Sequence, residues 1–583
     1  MKLNFSYTFE AKLSMGTGQN KIGFHKALKR IHMRRKAFAL AKPVSVSLLG
    51  YAATFLYQQG VLCYRVDEPM TRIRVRDIHN SSAVESVIDV VKLISHTVKG
   101  VRCRAGTCRL LNYADGILVC LLEAHWLQPR LLAVNVNTGH CLATLELETS
   151  QRIFVRNNSD YLLYGTHSSV GSHGHHEWVI SGYNMKKKRH IKGIRLSNLV
   201  GYDIGSTVAF EIHRGYFYAV SNQTSFEVKE VDWTSFYRGY RFPLENACEG
   251  NLEAEQWWRR NHVEGPINDS WTDLKLHVDE CTGDLMIVEA RKEWPGGGSN
   301  GQRTCYTRVV QFPNKENPED SLMLDRKSNL EGGPYPTLSG ERPAFLFTQR
   351  IRHPKNVHHD DSGTANEFII ARTMVRYYSP DANAFLDLVN DPEDPLRNGD
   401  FRPRQRLRLR VSSRIVCPPN SSEPYRPRGI LMWPPNRTSK GDDELTKLPN
   451  PLSGKAEGKC DERSLIYTIG DTERRAMVLV NFDEGIDLCS KHHNRNFHAQ
   501  NRISKAAANT YRTHGGGLAP HRVRPCERIG GGSLAIDHVR PCKRTRTSIH
   551  RSVPPMLLTP PGVEVPYFHQ EEATYLSHKN VVI

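Results

Sequence analysis

The chain has 583 residues, 39% of them apolar and 24% charged, the proportions of a globular protein and not of a wholly disordered one. Its net charge of +18 sits in the ends, because residues 1–50 hold 10 Lys+Arg against 1 Asp+Glu and residues 491–583 hold 14 against 5. The stretch 51–490 is therefore neutral, and nucleic acid is not expected on the folded body. Thirteen cysteines, odd in number and without repeated spacing, argue against a disulfide framework and for a reducing compartment, cytoplasmic or nuclear, while no apolar run approaches the ~18 residues that span a bilayer.

In chain order, residues 26–42 carry the pattern of a basic amphipathic helix, and helix is expected mainly over 23–40. A mitochondrial presequence is the competing reading, opposed by the late start of the segment and by Glu10 before it. From residue 51 short runs rich in Val, Ile, Tyr and Phe follow turn signals: Val61–Tyr64, Ile117–Leu122, Tyr161–Tyr164, Tyr216–Val220, Leu285–Val288, Phe368–Ala371 and Met477–Val480. Several form hairpins with a preceding strand, Arg152–Arg156 with Tyr161–Tyr164 and Thr207–Ile212 with Tyr216–Val220. Third strands follow at Arg72–Ile78, Arg130–Val136, Glu177–Tyr183, Tyr237–Phe242 and Arg303–Phe312.

Recurrence every 44–69 residues over the first five runs is the pattern of four-stranded blades, and gaps of 83 and 109 residues then interrupt it. The expected fold is mostly β: a propeller-like array of antiparallel blades with a short N-terminal helix and disordered basic tails, a pair of packed sheets being the alternative. Residues 1–50 form the basic N-terminal segment and 51–490 the β domain. Loop insertions are expected at 314–342 and 392–460 from their Pro, Gly, Asn and charge content. Residues 491–583 read as a basic, disordered tail without strands.

No constellation predicts catalysis. His167, His173, His175 and His176 crowd a hairpin loop, yet no cysteine, and no carboxylate but Glu177, stands at ligand spacing, so no metal site is assigned. Gly296–Gly301 matches the dinucleotide fingerprint by letter, but a strand pattern follows where a helix is required, which makes it a hairpin turn. With no nucleophile and base at a spacing that predicts contact, the chain reads as a non-enzyme without cofactor. Partner binding is expected at Trp257, Trp258, Arg259, Arg260 and His262, a run read as outside the strand pattern, together with His175 and His176, because Trp and Arg dominate interface energetics. The competing reading puts Trp257 or Trp258 in a groove between blades.

Five stretches carry a family resemblance: Ala52–Tyr64 (AATFLYQQGVLCY), Leu162–Trp178 (LLYGTHSSVGSHGHHEW), Val200–Leu244, Trp257–Trp294 (WWRRNHVEGPINDSWTDLKLHVDECTGDLMIVEARKEW) and Phe385–Asp391 (FLDLVND). They resemble the body of F-box domain proteins of filamentous fungi, over roughly residues 35–485. The resemblance implies a substrate-binding adaptor of a ubiquitin ligase, which captures a protein substrate and meets a Skp-type linker and a cullin. Residues 1–50 lack the Leu-Pro-x-Glu-like start and the apolar helical run of an F-box. A stand-alone β-propeller scaffold and a protein that binds nucleic acid through its tails are the alternatives.

Overall fold

Strand runs bounded by tight turns build seven antiparallel sheets in the computed structural model, which describes residues 8–15, 23–66, 72–97, 107–313, 372–392, 405–413, 431–435, 447–488 and 565–580, short connections inside the longer stretches apart. Blade 1 is formed by Thr54–Gln58, Val61–Arg65, Arg72–Asp77 and Val84–Asp89, and blade 2 by Thr107–Ala114, Ile117–Ala124, Leu127–Asn135 and Cys141–Glu146. Blade 3 comprises Phe154–Asn157, Tyr161–Val170, His176–Asn184 and Arg189–Leu196, and blade 4 Val208–His213, Tyr216–Ser221, Ser235–Pro243 and Glu253–Arg260. Blade 5 has Ile267–Val278, Leu285–Glu293 and Gln302–Val309, with Val231–Asp232 lent by a connection of blade 4. Blade 6 has Arg372–Ser379, Ala384–Pro392, Gln405–Ser413 and Leu431–Trp433.

Blade 7 closes the ring: Lys455–Cys460, Ser464–Asp471 and Arg474–Asn481 take their fourth strand, Ser45–Ala52, from the start of the chain. The first strands of neighbouring blades touch at six of the seven blade boundaries, and the fold is a seven-bladed β-propeller with those strands innermost. Its core is divided accordingly. Each of seven apolar clusters lies between two neighbouring blades, from Cys63 with Leu118 between blades 1 and 2 to Leu49 with Leu62 between blades 7 and 1.

Many of the sequence signals mark the strands correctly. Gln59-Gly60, Asp115-Gly116 and Arg214-Gly215 each have two positive φ values, the requirement of the two-residue turn whose twist matches a hairpin. Five of the seven runs are the second strands of blades 1 to 5. Met477–Val480 is instead a third strand, and Phe368–Ala371 lies outside the described residues. The strands on either side of Gly296–Gly301 pair antiparallel, Glu293 opposite Gln302, as a hairpin reading requires.

Two expectations are corrected. The segment 392–460, read as an insertion, supplies the third and fourth strands of blade 6 and the first of blade 7. In Gln405–Ser413 arginines alternate with Leu407, Leu409 and Val411, whose side chains enter the core while the guanidiniums of Arg408 and Arg410 pair with Asp391 and Asp387. Strands also occur beyond residue 490: Phe568–Glu572 adds a fifth strand to blade 1, and Ser577–Asn580 pairs with Ser45–Ala52. The expected insertion at 314–342 and most of the expected tail lie outside the described residues.

Helix α1 (Phe9–Met15) and helix α2 (Phe24–Ala39) pack against each other. Helix α2 falls where the amphipathic pattern was read and buries Ala27, Ile31, Arg34 and Phe38, one stripe at helical spacing. A third helix, α3 (Val90–Thr97), follows blade 1. None of the described helices is long and apolar enough to cross a membrane.

Candidate functional site

The connections between first and second strands leave the ring on one face, and those between second and third strands, with the blade-to-blade connections, on the other. Helices α1 and α2 meet the first face through buried charge. Arg463 of blade 7 pairs with Glu10 of α1 at 3.0 Å and with Glu280 of blade 5 at 2.8 Å. Arg34 of α2 reaches Asp381 of blade 6 at 2.9 Å and the Glu462 carbonyl at 3.2 Å, and Arg30 reaches Asp483 at 2.7 Å. The ring of Phe9 lies beside both Arg30 and Arg463. Burial and the neighbouring Asp381 push the Glu462 carboxyl up to about 8. At Glu280 burial acts upward, but the Arg463 guanidinium outweighs it and holds the group at about 2. Glu10, Arg34, Arg463 and Asp483 are all buried, so over blades 5 to 7 this face is closed by the chain itself.

Among the described residues the opposite face is open above blades 2 to 4. Arg152, in the connection from blade 2 to blade 3, places its guanidinium 4.3 Å from the ring centroid of Tyr202, in the connection from blade 3 to blade 4. The His167 ring lies 6.3 Å from that of Tyr202, 5.9 Å from His176 and 5.1 Å from Trp178. Beneath them the fully buried Trp178 donates its Nε1–H to the Gly201 carbonyl at 2.8 Å, which fixes the backbone next to Tyr202. The turn that follows is held by the amide of Asp203 donating to Thr207 Oγ1 at 3.0 Å and the amide of Thr207 donating to the Asp203 carbonyl at 2.8 Å.

Val170 (56% exposed) and Tyr202 (51% exposed), with Ile204, are three of the eight large hydrophobic side chains exposed among the described residues. Val170 stands opposite His176 across the second hairpin of blade 3. Burial, the Arg152 guanidinium and the neighbouring His176 hold His167 below the usual imidazole range, and its Nδ1 is buried without a hydrogen-bond partner among the described residues. An exposed aromatic ring capped by a guanidinium, an exposed imidazole at His176 and exposed aliphatic groups are together suited to bury an extended segment of another protein.

The residues singled out from sequence part company here. His175 and His176 are exposed at this cluster, His176 within it and His175 in the adjoining turn. Trp257 and Arg259 are buried in the fourth strand of blade 4, so the reading of this run as lying outside the strand pattern is corrected. Trp257 packs over Gly239, where an added Cβ would come within 2.3 Å of its ring, and donates to the Gln311 carbonyl at 3.2 Å. It fills the groove between blades 4 and 5, the place the competing reading gave it. Arg259 is fully covered and paired at 2.7 Å with an equally covered Glu289, which also accepts from Tyr237 and Asn222. The side chains of Trp258 and Arg260, and all of His262, lie outside the described residues. Sequence reasoning missed Arg152, Tyr202 and Ile204 because each sits in a blade-to-blade connection without a motif. A Tyr directly after the glycine of such a connection was the one available signal.

No family model matches the sequence, and no curated protein sequence does. Solved propellers are similar in fold. The WD40 domain of SCAP from fission yeast is 8% identical with a TM-score of 0.34, covering 76% of this chain and 98% of that one. The β-propeller domain of the trilobed protease from Pyrococcus furiosus is 7% identical with a TM-score of 0.30, covering 75% and 99%. The Neurospora crassa Pan2 WD40 domain is 10% identical with a TM-score of 0.22, covering 41% and 71%. Among the described residues no group of three or more His, Cys, Asp or Glu is placed to hold a metal ion.

Proposed function

We propose that this chain is a non-catalytic protein-recognition module that binds a partner segment on the open face of blades 2 to 4. In its finer form, the proposal makes it the substrate-binding part of an F-box-type ubiquitin-ligase adaptor, working with a Skp-type linker and a cullin. The cluster of exposed Arg152, Tyr202 and His176 with half-buried His167, beside Val170 and Ile204, carries the first part. Exposed aromatic and guanidinium groups held on a rigid scaffold provide large contact area at small ordering cost. The resemblance of the body to fungal F-box proteins supports the second part.

Affinity purification of the full chain tests both parts. Co-purification of a Skp-type linker and a cullin is expected. An Arg152→Ala/Tyr202→Ala variant should retain the fold and lose about 2 kcal/mol, roughly 30-fold, in affinity for the captured substrate, with linker capture unchanged. Absence of linker and cullin from a folded preparation would remove the adaptor role. Undiminished substrate capture by the variant would remove the open face.

A further inference from the structure

A second surface is already occupied, and by this chain itself. Blade 1 has four strands of its own, and the outermost, Val84–Asp89, presents the row of backbone groups that an edge strand leaves unpaired. Residues Phe568–Glu572 take that edge antiparallel, Phe568 opposite Ile88 and Glu572 opposite Val84. The pairing continues at both ends. The Asp89 amide donates to the Tyr567 carbonyl at 2.8 Å, and the Ala573 amide donates to the Ala83 carbonyl at 2.9 Å.

Side chains read this segment individually. Tyr567 is buried edge-on against His96 of α3, with ring centroids 5.6 Å apart. Phe568 lies on Gly139, where an added Cβ would come within 2.3 Å of it. Glu571 accepts from Arg74 at 2.8 Å with Arg72 beyond at 3.8 Å. His569 and Gln570 between them are exposed. The segment thus buries Tyr567, lays a half-buried Phe568 on the blade and pairs a partly exposed acidic side chain three residues on, around exposed residues that are not recognised. That is the layout of a short linear ligand adding a strand to a sheet. Blade 1 is complete without it, so the edge persists when the segment leaves.

We propose that the outer edge of blade 1 is a docking site for an extended peptide of the pattern Tyr-Phe-x-x-Glu, and that residues 565–573 are its intramolecular ligand. A segment of another protein carrying the same pattern displaces them. This site is separate from the open face and stands without the proposed function.

The test uses a labelled peptide of residues 563–575, titrated into the full-length chain and into a full-length Tyr567→Ala/Phe568→Ala variant whose own segment is released. Saturable binding to the variant is expected, at least tenfold tighter than to the unaltered chain, and a peptide carrying Glu571→Lys should bind the variant at least tenfold more weakly. A full-length Glu571→Lys chain, altered only at a partly exposed latch, serves the same titration if the double variant does not fold. Equal binding to released and unaltered chains, or indifference to Glu571→Lys in the peptide, would overturn the proposal. So would a dimer of the unaltered chain that the peptide dissociates, because the ligand would then come from a second copy.

Discussion

At the scale of single residues, Arg259 shows how one side chain changes meaning between sequence and structure. An Arg beside two tryptophans has the composition of an interface hot spot, but in blade 4 its guanidinium pairs with the covered Glu289 and also donates to the Asn222 carbonyl at 3.0 Å. Removing one partner of a buried pair leaves the other charge desolvated and uncompensated. Arg259→Ala should therefore cost about 3–5 kcal/mol in urea-induced unfolding. A loss below about 1 kcal/mol would show that Glu289 is adequately held by Tyr237 and Asn222 alone. What sequence could not convey is the pairing: Glu289 stands 30 positions away in the next blade, and nothing in its neighbourhood marks it as a partner. The open-face cluster was half legible for the same reason. His175 and His176 stood out because histidines rarely crowd so closely, whereas Arg152 and Tyr202 lie in separate connections that meet only when blades 2, 3 and 4 close on one another.

At the scale of elements, strands facing core on at least one side were readable and strands facing solvent were not. Ile117–Ala124 and Tyr216–Ser221 announce themselves by apolar residues after a turn. Phe568–Glu572, an outer edge, carries His, Gln and two Glu because it meets water, so composition alone assigns it to a tail. Gln405–Ser413 does alternate, but three arginines within a proline- and glycine-rich stretch obscure the period.

The contact of α1 and α2 with the ring has its own consequence with pH. Glu462 faces Asp381, Arg34, Glu280 and His277, and accepts from Tyr377 and Ser379. Its carboxyl rises from 4.5 to about 8 on folding, so between those values the unfolded chain has released a proton that the folded chain keeps. Stability from this group falls as pH rises through that window, by on the order of 1 kcal/mol per pH unit at its steepest. Glu280 acts with the opposite sign, its contribution being present above 4.5 and lost as pH falls toward 2. A Glu462→Gln chain should gain at least about 1 kcal/mol over the parent between pH 5 and pH 8 in denaturant titrations. A difference between the two chains that does not change with pH would refute this.

At the scale of the molecule, seven apolar clusters at seven blade interfaces explain how so modest an apolar fraction supports a large ring: each blade needs only its two faces covered by neighbours. Closure by Ser45–Ala52 ties the N-terminal helices to blade 7, and their ion pairs close one face over blades 5 to 7. The proposed recognition surface is the opposite face, where Tyr202 stands half exposed beneath Arg152. Site-specific photo-crosslinking in cells tests this directly, with the photoreactive residue at Tyr202 in one full-length chain and at Leu40, an exposed position at the end of α2, in another. Discrete protein adducts from position 202, and none of the same adducts from position 40, is the predicted result. Adducts that are absent at 202, or identical from both positions, would contradict the assignment of the open face as the recognition surface.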